Sequence, residues 1–208
     1  MIKRYLLFAV CCCGLLAGCA KSASSYYPLA AGTTWTYHMA ITTPQASGEG
    51  TLILTNLPAR NLGGRMATPQ KGEAHFRGES HYTFEYVSEA TNGVIDLADE
   101  DSGDAEPKLH NPAPYILTRP LKVGTNWPQS IDASDGQSIS ATATIESVSE
   151  MVDVPAGTYT GCVKVHVSAG MGHGRDRYEW YAPSVGLVKM IERVAGRVNT
   201  LQLVSFHP

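Results

Sequence analysis

The residue best suited to covalent chemistry in this chain is Cys19, whose thiol follows a short apolar run. Lys3 and Arg4 precede that run, and the small residues Ala17 and Gly18 end it. The run is too short to cross a bilayer as a helix, which needs about 20 residues. The pattern is typical of a secretion signal, in which small residues give a peptidase access to the backbone before Cys19.

The string Leu16-Ala17-Gly18-Cys19 resembles the lipobox of bacterial lipoprotein precursors. The resemblance implies cleavage after Gly18, a diacylglyceryl thioether on Cys19 and a further acyl chain such as palmitate on its amine. Each buried CH₂ contributes about 0.8 kcal/mol, so two or three chains hold a protein firmly on a membrane. An ordinary secretory signal or a short buried helix is the alternative interpretation.

The resemblance to lipoprotein precursors also predicts to which membrane the protein is finally attached. Gram-negative lipoproteins kept in the inner membrane tend to have Asp after the lipidated cysteine, whereas this chain has Ala20. We therefore expect attachment to the outer membrane, with the domain facing the periplasm. The next residues are short and polar, typical of a flexible linker that keeps the domain near the membrane.

These features divide the chain into a signal peptide at 1–18, a lipidated tether at 19–25 and one β-rich domain at 26–208. Without the signal, 14 basic and 19 acidic side chains remain, a formal charge of −5. This balance argues against nucleic acid as a partner and against charge-driven binding to anionic lipid. The membrane is then a partner through the lipid anchor alone.

The cysteines do not form a disulfide framework, although there are five of them. Three leave with the signal and Cys19 is used by lipid, so Cys162 is the one thiol left in the mature chain. We expect it to be buried and inert, because a nucleophilic thiol needs a nearby histidine and an electropositive pocket. His166 shares its strand face, but at a spacing beyond hydrogen-bond reach.

Short alternating runs rich in β-branched and aromatic residues recur along the chain, separated by Gly, Pro, Asn and Asp. They predict a mainly β, antiparallel fold, either a curved sheet or a partly open barrel. Between two of the runs, Pro155 and Gly157 predict a hairpin turn. The predicted strands are 33–43, 51–57, 80–87, 138–148, 159–168, 175–181, 187–193 and 197–206.

An internal sequence repeat indicates two similar β-meander halves, at about 26–106 and 112–208. The pattern P-L-x-x-G-T-x-W occurs at Pro28 and again at Pro120, and a later aromatic-then-glycine pattern repeats with its glycines 93 residues apart. Convergent turn chemistry is the competing explanation. We expect Trp35 and Trp127, which open the two halves, to lie in the core.

No local motif for catalysis or metal binding is present. No two histidines have HxH or HxxxH spacing, so neither a metal site nor a cofactor is expected. The acidic stretch 96–106 does not fit the ligand spacing of a calcium loop and is interpreted as a solvated linker between the halves. The best binding candidate is the glycine-rich loop near His173, with Arg175, Tyr178 and Trp180 beside it; a flexible hairpin loop is the competing interpretation.

Several segments resemble a broad set of bacterial lipoproteins and secreted domains of unknown function. The resemblance rests on the opening Tyr27-Pro28-Leu29, on the run 154–159 (VPAGTY) with Cys162, and on 179–189, which contains EWYAP and VGLVK. It covers about residues 26–192 and implies an antiparallel, curved β-fold. It implies no catalytic or binding residue.

The sequence thus predicts a membrane-anchored envelope lipoprotein, not an enzyme, that binds an apolar or amphipathic ligand. The alternative is a structural or assembly subunit of an envelope protein complex, which would carry a large apolar patch on its outside. A hydrolase using His173, Asp176 or Cys162 is the third and weakest hypothesis.

Overall fold

A computed structural model describes residues 26–132, 138–169, 175–194 and 196–208. The signal segment, Cys19 and the tether lie outside them. The described residues form fourteen strands: β1 (Thr34–Thr42), β2 (Ser47–Asn56), β3 (Arg60–Leu62), β4 (Arg65–Phe76), β5 (Glu79–Ala90), β6 (Gly93–Asp101), β7 (Lys108–Leu109), β8 (Tyr115–Thr118), β9 (Asn126–Asp132), β10 (Ser138–Val154), β11 (Gly157–Ser168), β12 (Arg175–Ala182), β13 (Gly186–Val194) and β14 (Arg197–His207).

The strands form one antiparallel sheet in the order β7-β6-β5-β4-β2-β1-β14-β13-β12-β11-β10-β9, with β3 beside β4 and β8 beside β6. The mainly β, antiparallel prediction is confirmed. No helix long and apolar enough to cross a membrane occurs among the described residues.

The sheet curls until its two ends face each other, but it does not close into a barrel. No strand pairing joins β8, at one end, to β9 at the other within the described residues. Instead, Trp127 Nε1 and Gln129 Nε2 of β9 both donate to the carbonyl oxygen of Tyr115, at 2.8 and 2.7 Å. Side chains therefore link the ends where a backbone ladder would close a barrel.

The two predicted halves appear as two consecutive meanders. In one, β1, β2, β4, β5 and β6 are neighbours in chain order; in the other, β9 to β13 are. The turns before β1 and β9 make matching backbone bonds: Gly32 N donates to Asn56 O at 2.8 Å, and Gly124 N donates to Ile145 O at 2.9 Å. Both glycines have φ near +90°, which L side chains rarely adopt. The last strand, β14, pairs with β1 and β13 and so joins the halves.

Alternate apolar residues along the strands form the core, as the sequence predicts. Val163, Val165 and Val167 are fully buried in a cluster with Trp127, which is 4% exposed. Trp35 belongs to a second cluster, where the hairpin between β10 and β11 packs on the sheet and Ala156 N donates to the Leu203 carbonyl. Both tryptophans lie in the core, as predicted from their positions at the start of the two repeats.

The acidic stretch 96–106 was interpreted from the sequence as a solvated linker, and the structure corrects this. Its first six residues are not linker but belong to β6, which pairs with β5 through Asp101. Four buried apolar residues hold this strand in the sheet: Val94, Ile95, Leu97 and Ala98. The sequence analysis missed the strand because its carboxylates are dense and its apolar side chains do not alternate regularly.

Candidate functional site

A cavity of about 700 Å³ lies inside the curl of the sheet. That volume falls within the range of pockets that hold small molecules. Its wall combines side chains from both meanders and from the segment before β1. Its lining residues include Tyr27, Trp35, Tyr37, Leu52, Leu54, Gln70, Glu85, Asp96, Asp99, His110, Tyr115, Gln129, Arg177, Glu179, Tyr181, Leu187, Met190 and Leu201.

One wall of the cavity is apolar. Tyr37 of β1 lies opposite Leu52 of β2, so the two side chains share a sheet face. On the other side of β1, Met190 of β13 pairs with Leu201 of β14. The Tyr37 hydroxyl donates to the Leu187 carbonyl at 2.8 Å, so this wall offers hydrocarbon and aromatic surface.

The opposite wall is acidic. Glu85 of β5 lies directly across from Asp99 of β6, which brings two carboxylates to one sheet face. The Glu85 side chain faces the cavity, where it keeps accessible surface. Burial, and then the charge of Asp99, raise the pKa of Glu85.

A β-bulge brings Asp96 to the same wall. In a regular strand, residues three apart point to opposite faces. The register between β5 and β6 shifts at Tyr86 and Val87, which pair with Ala98 and Asp96, so Leu97 is an extra residue. Both Asp96 and Asp99 consequently line the cavity.

His110, just after β7, completes the acidic cluster. Its Nε2 lies 3.4 Å from Asp96 Oδ2 and 3.1 Å from Asp99 Oδ2. Burial, and then the charges of Glu85 and Asp99, raise the pKa of Asp96 to about 8. The cluster concentrates negative charge where solvent can compensate it only in part.

The remaining polar side chains of the cavity come from β12, where alternate residues face inward. Arg177 Nε lies 2.7 Å from Glu179 Oε1, and the Tyr181 hydroxyl donates to Glu179 Oε2 at 2.9 Å. Glu179 is buried, so its charge is compensated within the fold. The pKa of Arg177 is raised, chiefly by Glu179, and the guanidinium stays charged.

The segment that follows the tether packs against the same cavity. Tyr26 is fully buried, and its hydroxyl donates to the Gly161 carbonyl at 3.0 Å. Tyr27 lines the cavity and donates to Gln70 Oε1 at 3.1 Å. The first described residues therefore lie at the cavity wall.

The binding residues expected from sequence lie elsewhere or outside the described residues. Tyr178 and Trp180 alternate with the inward-facing residues of β12 and so point away from the cavity. His173 lies outside the described part of the chain, and Arg175 opens β12 without a described side chain. Their role in binding stays a prediction.

On the outer face, Tyr178 and Trp180 contact charged neighbours. His166 stacks on Tyr178 with ring centroids 4.4 Å apart, and Lys164 Nζ lies 4.8 Å from the Tyr178 ring centre. The Trp180 indole donates to Glu150 Oε2 at 2.7 Å. These side chains are paired with one another on the sheet surface.

Cys162 is fully buried, as expected from the sequence. Burial, and then the charge of Glu150, raise the pKa of its thiol to about 11. A raised pKa removes the thiolate that a nucleophile requires. The environment of Cys162 therefore lends no support to a cysteine hydrolase.

We expect the Cys162 thiol of the folded protein to react with a disulfide reagent at mildly alkaline pH at least about 100-fold more slowly than in urea, because both burial and the raised pKa suppress the thiolate. In the chain from Ala20 onward Cys162 is the one cysteine, so a colorimetric thiol assay on that domain reports Cys162 alone. Equal rates in buffer and in urea would contradict the buried position.

Sequence reasoning missed Glu85, Asp96, Asp99 and His110 as a group. The available signal was the density of carboxylates between Asp96 and Asp101, followed by a histidine. Local spacing rules could not detect it, because the bulge at Leu97 and the turn into β7 assemble the group.

Comparison with protein-family models finds no match, and comparison with curated proteins finds none either. Three solved structures match. One, assigned as a lipoprotein from Parabacteroides distasonis, has 14% identity, a TM-score of 0.42 and coverage of 88% of this chain and 98% of its own. Another, assigned as an exported protein with a YmcC-like fold from Bacteroides fragilis, has 13% identity, a TM-score of 0.43 and coverage of 87% and 98%.

The third is assigned as an outer membrane lipoprotein-sorting protein domain from Vibrio parahaemolyticus. It has 13% identity, a TM-score of 0.32 and coverage of 84% of each chain. At TM-scores below 0.5, we take neither fold nor function for this chain from these proteins.

Proposed function

We propose that the mature chain is a lipid-anchored envelope protein whose curled sheet binds an amphipathic ligand, and that it acts as a binding protein, not as an enzyme. The observation that carries this proposal is the cavity of about 700 Å³ with one apolar and one acidic wall. Attachment through Cys19 to the outer membrane, with the domain in the periplasm, completes the proposal.

The two walls define the class of ligand. Hydrocarbon would lie against Tyr37, Leu52 and Leu201, where apolar surface is removed from water on binding. The polar wall holds more carboxylates than cations, so it favours a positively charged group or several N–H donors. The acidic and basic side chains that line the cavity are Glu85, Asp96, Asp99, Glu179, Arg177 and His110.

The alternative role as an assembly subunit requires a large outer apolar patch. Large apolar side chains that are exposed in the described residues lie on separate elements, such as Met66 on β4, Met151 on β10 and Val204 on β14. No observation on the outer face favours this role over ligand binding.

We expect the domain beginning at Ala20, which keeps every described residue, to bind a neutral apolar fluorescent probe in the presence of a chelator. Dodecylammonium should displace the probe at concentrations at least about 10-fold lower than dodecanoate, because the acidic wall repels a carboxylate. Fluorescence titration measures the difference, and native mass spectrometry identifies any ligand retained from the cell.

A matched pair of variants on β14 locates the binding site. Leu201→Trp adds bulk to the cavity wall and should weaken probe binding at least about 10-fold. Val204→Trp adds the same bulk at an exposed position and should leave binding unchanged. Absence of any probe binding, or equal binding by both variants, would overturn the proposal.

A further inference from the structure

The acidic end of the cavity brings together side chains of the types that bind transition metals. Asp96, Asp99 and His110 each offer one ligand atom, and these atoms all lie within 4.8 Å of one another. Two of the residues lie on one strand and the third on the segment that returns beside it, where His110 N donates to the Leu97 carbonyl at 3.0 Å. Backbone structure thus fixes all three positions.

The hydrogen bonding of the cluster is incomplete in a way that points to a ligand. Asp96 Oδ1 and His110 Nε2 are buried atoms without a hydrogen-bond partner. Nε2 lies close to carboxylate oxygens of Asp96 and Asp99, but neither contact has hydrogen-bond geometry. Buried polar atoms in native proteins are normally paired, and those that are not require a specific explanation such as an ion.

The cluster also gathers like charges at one place on the cavity wall. Glu85 lies across the sheet from Asp99 and adds a third carboxylate to the same face. The Arg177 guanidinium, which also lines the cavity, already pairs with Glu179 at 2.7 Å. A divalent cation would neutralise like charges that the fold holds together.

We propose that Asp96, Asp99 and His110 bind one divalent transition-metal ion at the acidic end of the cavity. Two carboxylate oxygens and one imidazole nitrogen form a mixed donor set that suits zinc and its neighbours better than calcium or magnesium, which prefer oxygen alone. Three protein ligands leave at least one position open on a tetrahedral ion, and all three residues line the cavity. The site does not depend on the binding of an amphipathic ligand.

The test uses the untagged mature lipoprotein in a neutral detergent, stripped with a chelator and titrated with Zn²⁺ against a chromophoric competitor. We expect one Zn²⁺ per chain, and absorption typical of tetrahedral coordination when Co²⁺ replaces it. Asp96→Asn and His110→Ala should each weaken Zn²⁺ binding at least about 10-fold, because each removes a direct ligand.

Asp96→Asn separates metal binding from folding. Asn has nearly the same shape as Asp, and the change removes one of the like charges at this end of the cavity, so it should not lower the stability of the metal-free protein. Any loss of Zn²⁺ binding is then a loss of the ligand. Thermal unfolding without metal measures this directly.

His166→Ala is the matched control. His166 also contacts two carboxylates, Glu146 at 3.2 Å and Asp176 at 3.0 Å, but through different ring nitrogens, so these atoms cannot converge on one ion. Zn²⁺ binding should be unchanged in this variant. No Zn²⁺ binding by the unaltered protein, or binding retained in both Asp96→Asn and His110→Ala, would overturn the proposal.

Discussion

A Cys19→Ser chain is expected to incorporate no fatty acid, because a serine hydroxyl does not form the thioether that the lipobox resemblance implies. Cells fed an alkyne-tagged palmitate, followed by immunoprecipitation of the chain, measure the label. The loss of label should be complete, since the Cys19 side chain alone supplies the attachment point for the diacylglyceryl group. Label at the wild-type level in Cys19→Ser would contradict the assignment of Cys19.

Cys162→Ser provides the matched control, because Cys19 and Cys162 are the two cysteines that the proposed cleavage after Gly18 would leave. It should retain the label fully. Density-gradient separation of Gram-negative membranes then tests the final location. Ala20→Asp is expected to move the labelled protein from the outer-membrane to the inner-membrane fraction.

Trp127→Ala is expected to lower the free energy of unfolding by about 3–5 kcal/mol, as large-to-small changes of buried aromatic residues do. Trp127 is 4% exposed and packs in the cluster of the second meander. Its indole also helps to join the two ends of the sheet at the Tyr115 carbonyl. Urea denaturation followed by circular dichroism measures the loss.

Two further variants separate packing from the link between the ends. Trp127→Phe keeps most of the ring and should cost only about 1 kcal/mol, because Gln129 still donates to the Tyr115 carbonyl. Trp180→Ala removes the same side chain from a half-buried position on the outer face and should cost clearly less than Trp127→Ala. Equal losses at positions 127 and 180 would show that the sheet ends contribute little to stability.

The sequence alone was sufficient for the strands with clear alternation and for the internal repeat. Val163, Val165 and Val167 are buried because every second residue of a strand shares a face. The Gly-Thr turns before Trp35 and Trp127 share a local hydrogen bond, from Thr33 N to the Ala30 carbonyl in one and from Thr125 N to the Lys122 carbonyl in the other. Such features depend on neighbours in the chain, which a sequence displays directly.

The face of β12 that lines the cavity could not be derived in this way. Tyr178 and Trp180 on one face, and Arg177 and Tyr181 on the other, are both mixtures of aromatic and polar side chains. Alternation separates the two sets without saying which faces inward. The direction in which the whole sheet curls makes that choice, and it depends on contacts between strands far apart in the chain.

The acidic cluster was decided by tertiary structure for a different reason. Regular alternation places Asp96 and Asp99 on opposite faces, and a single bulge at Leu97 reverses that outcome. His110 joins them only because β7 folds back along β6. The sequence by itself was enough to predict the antiparallel β class and the strands with clear alternation, because these are set by nearby residues. The cavity and its acidic wall required the register and curvature of the complete sheet.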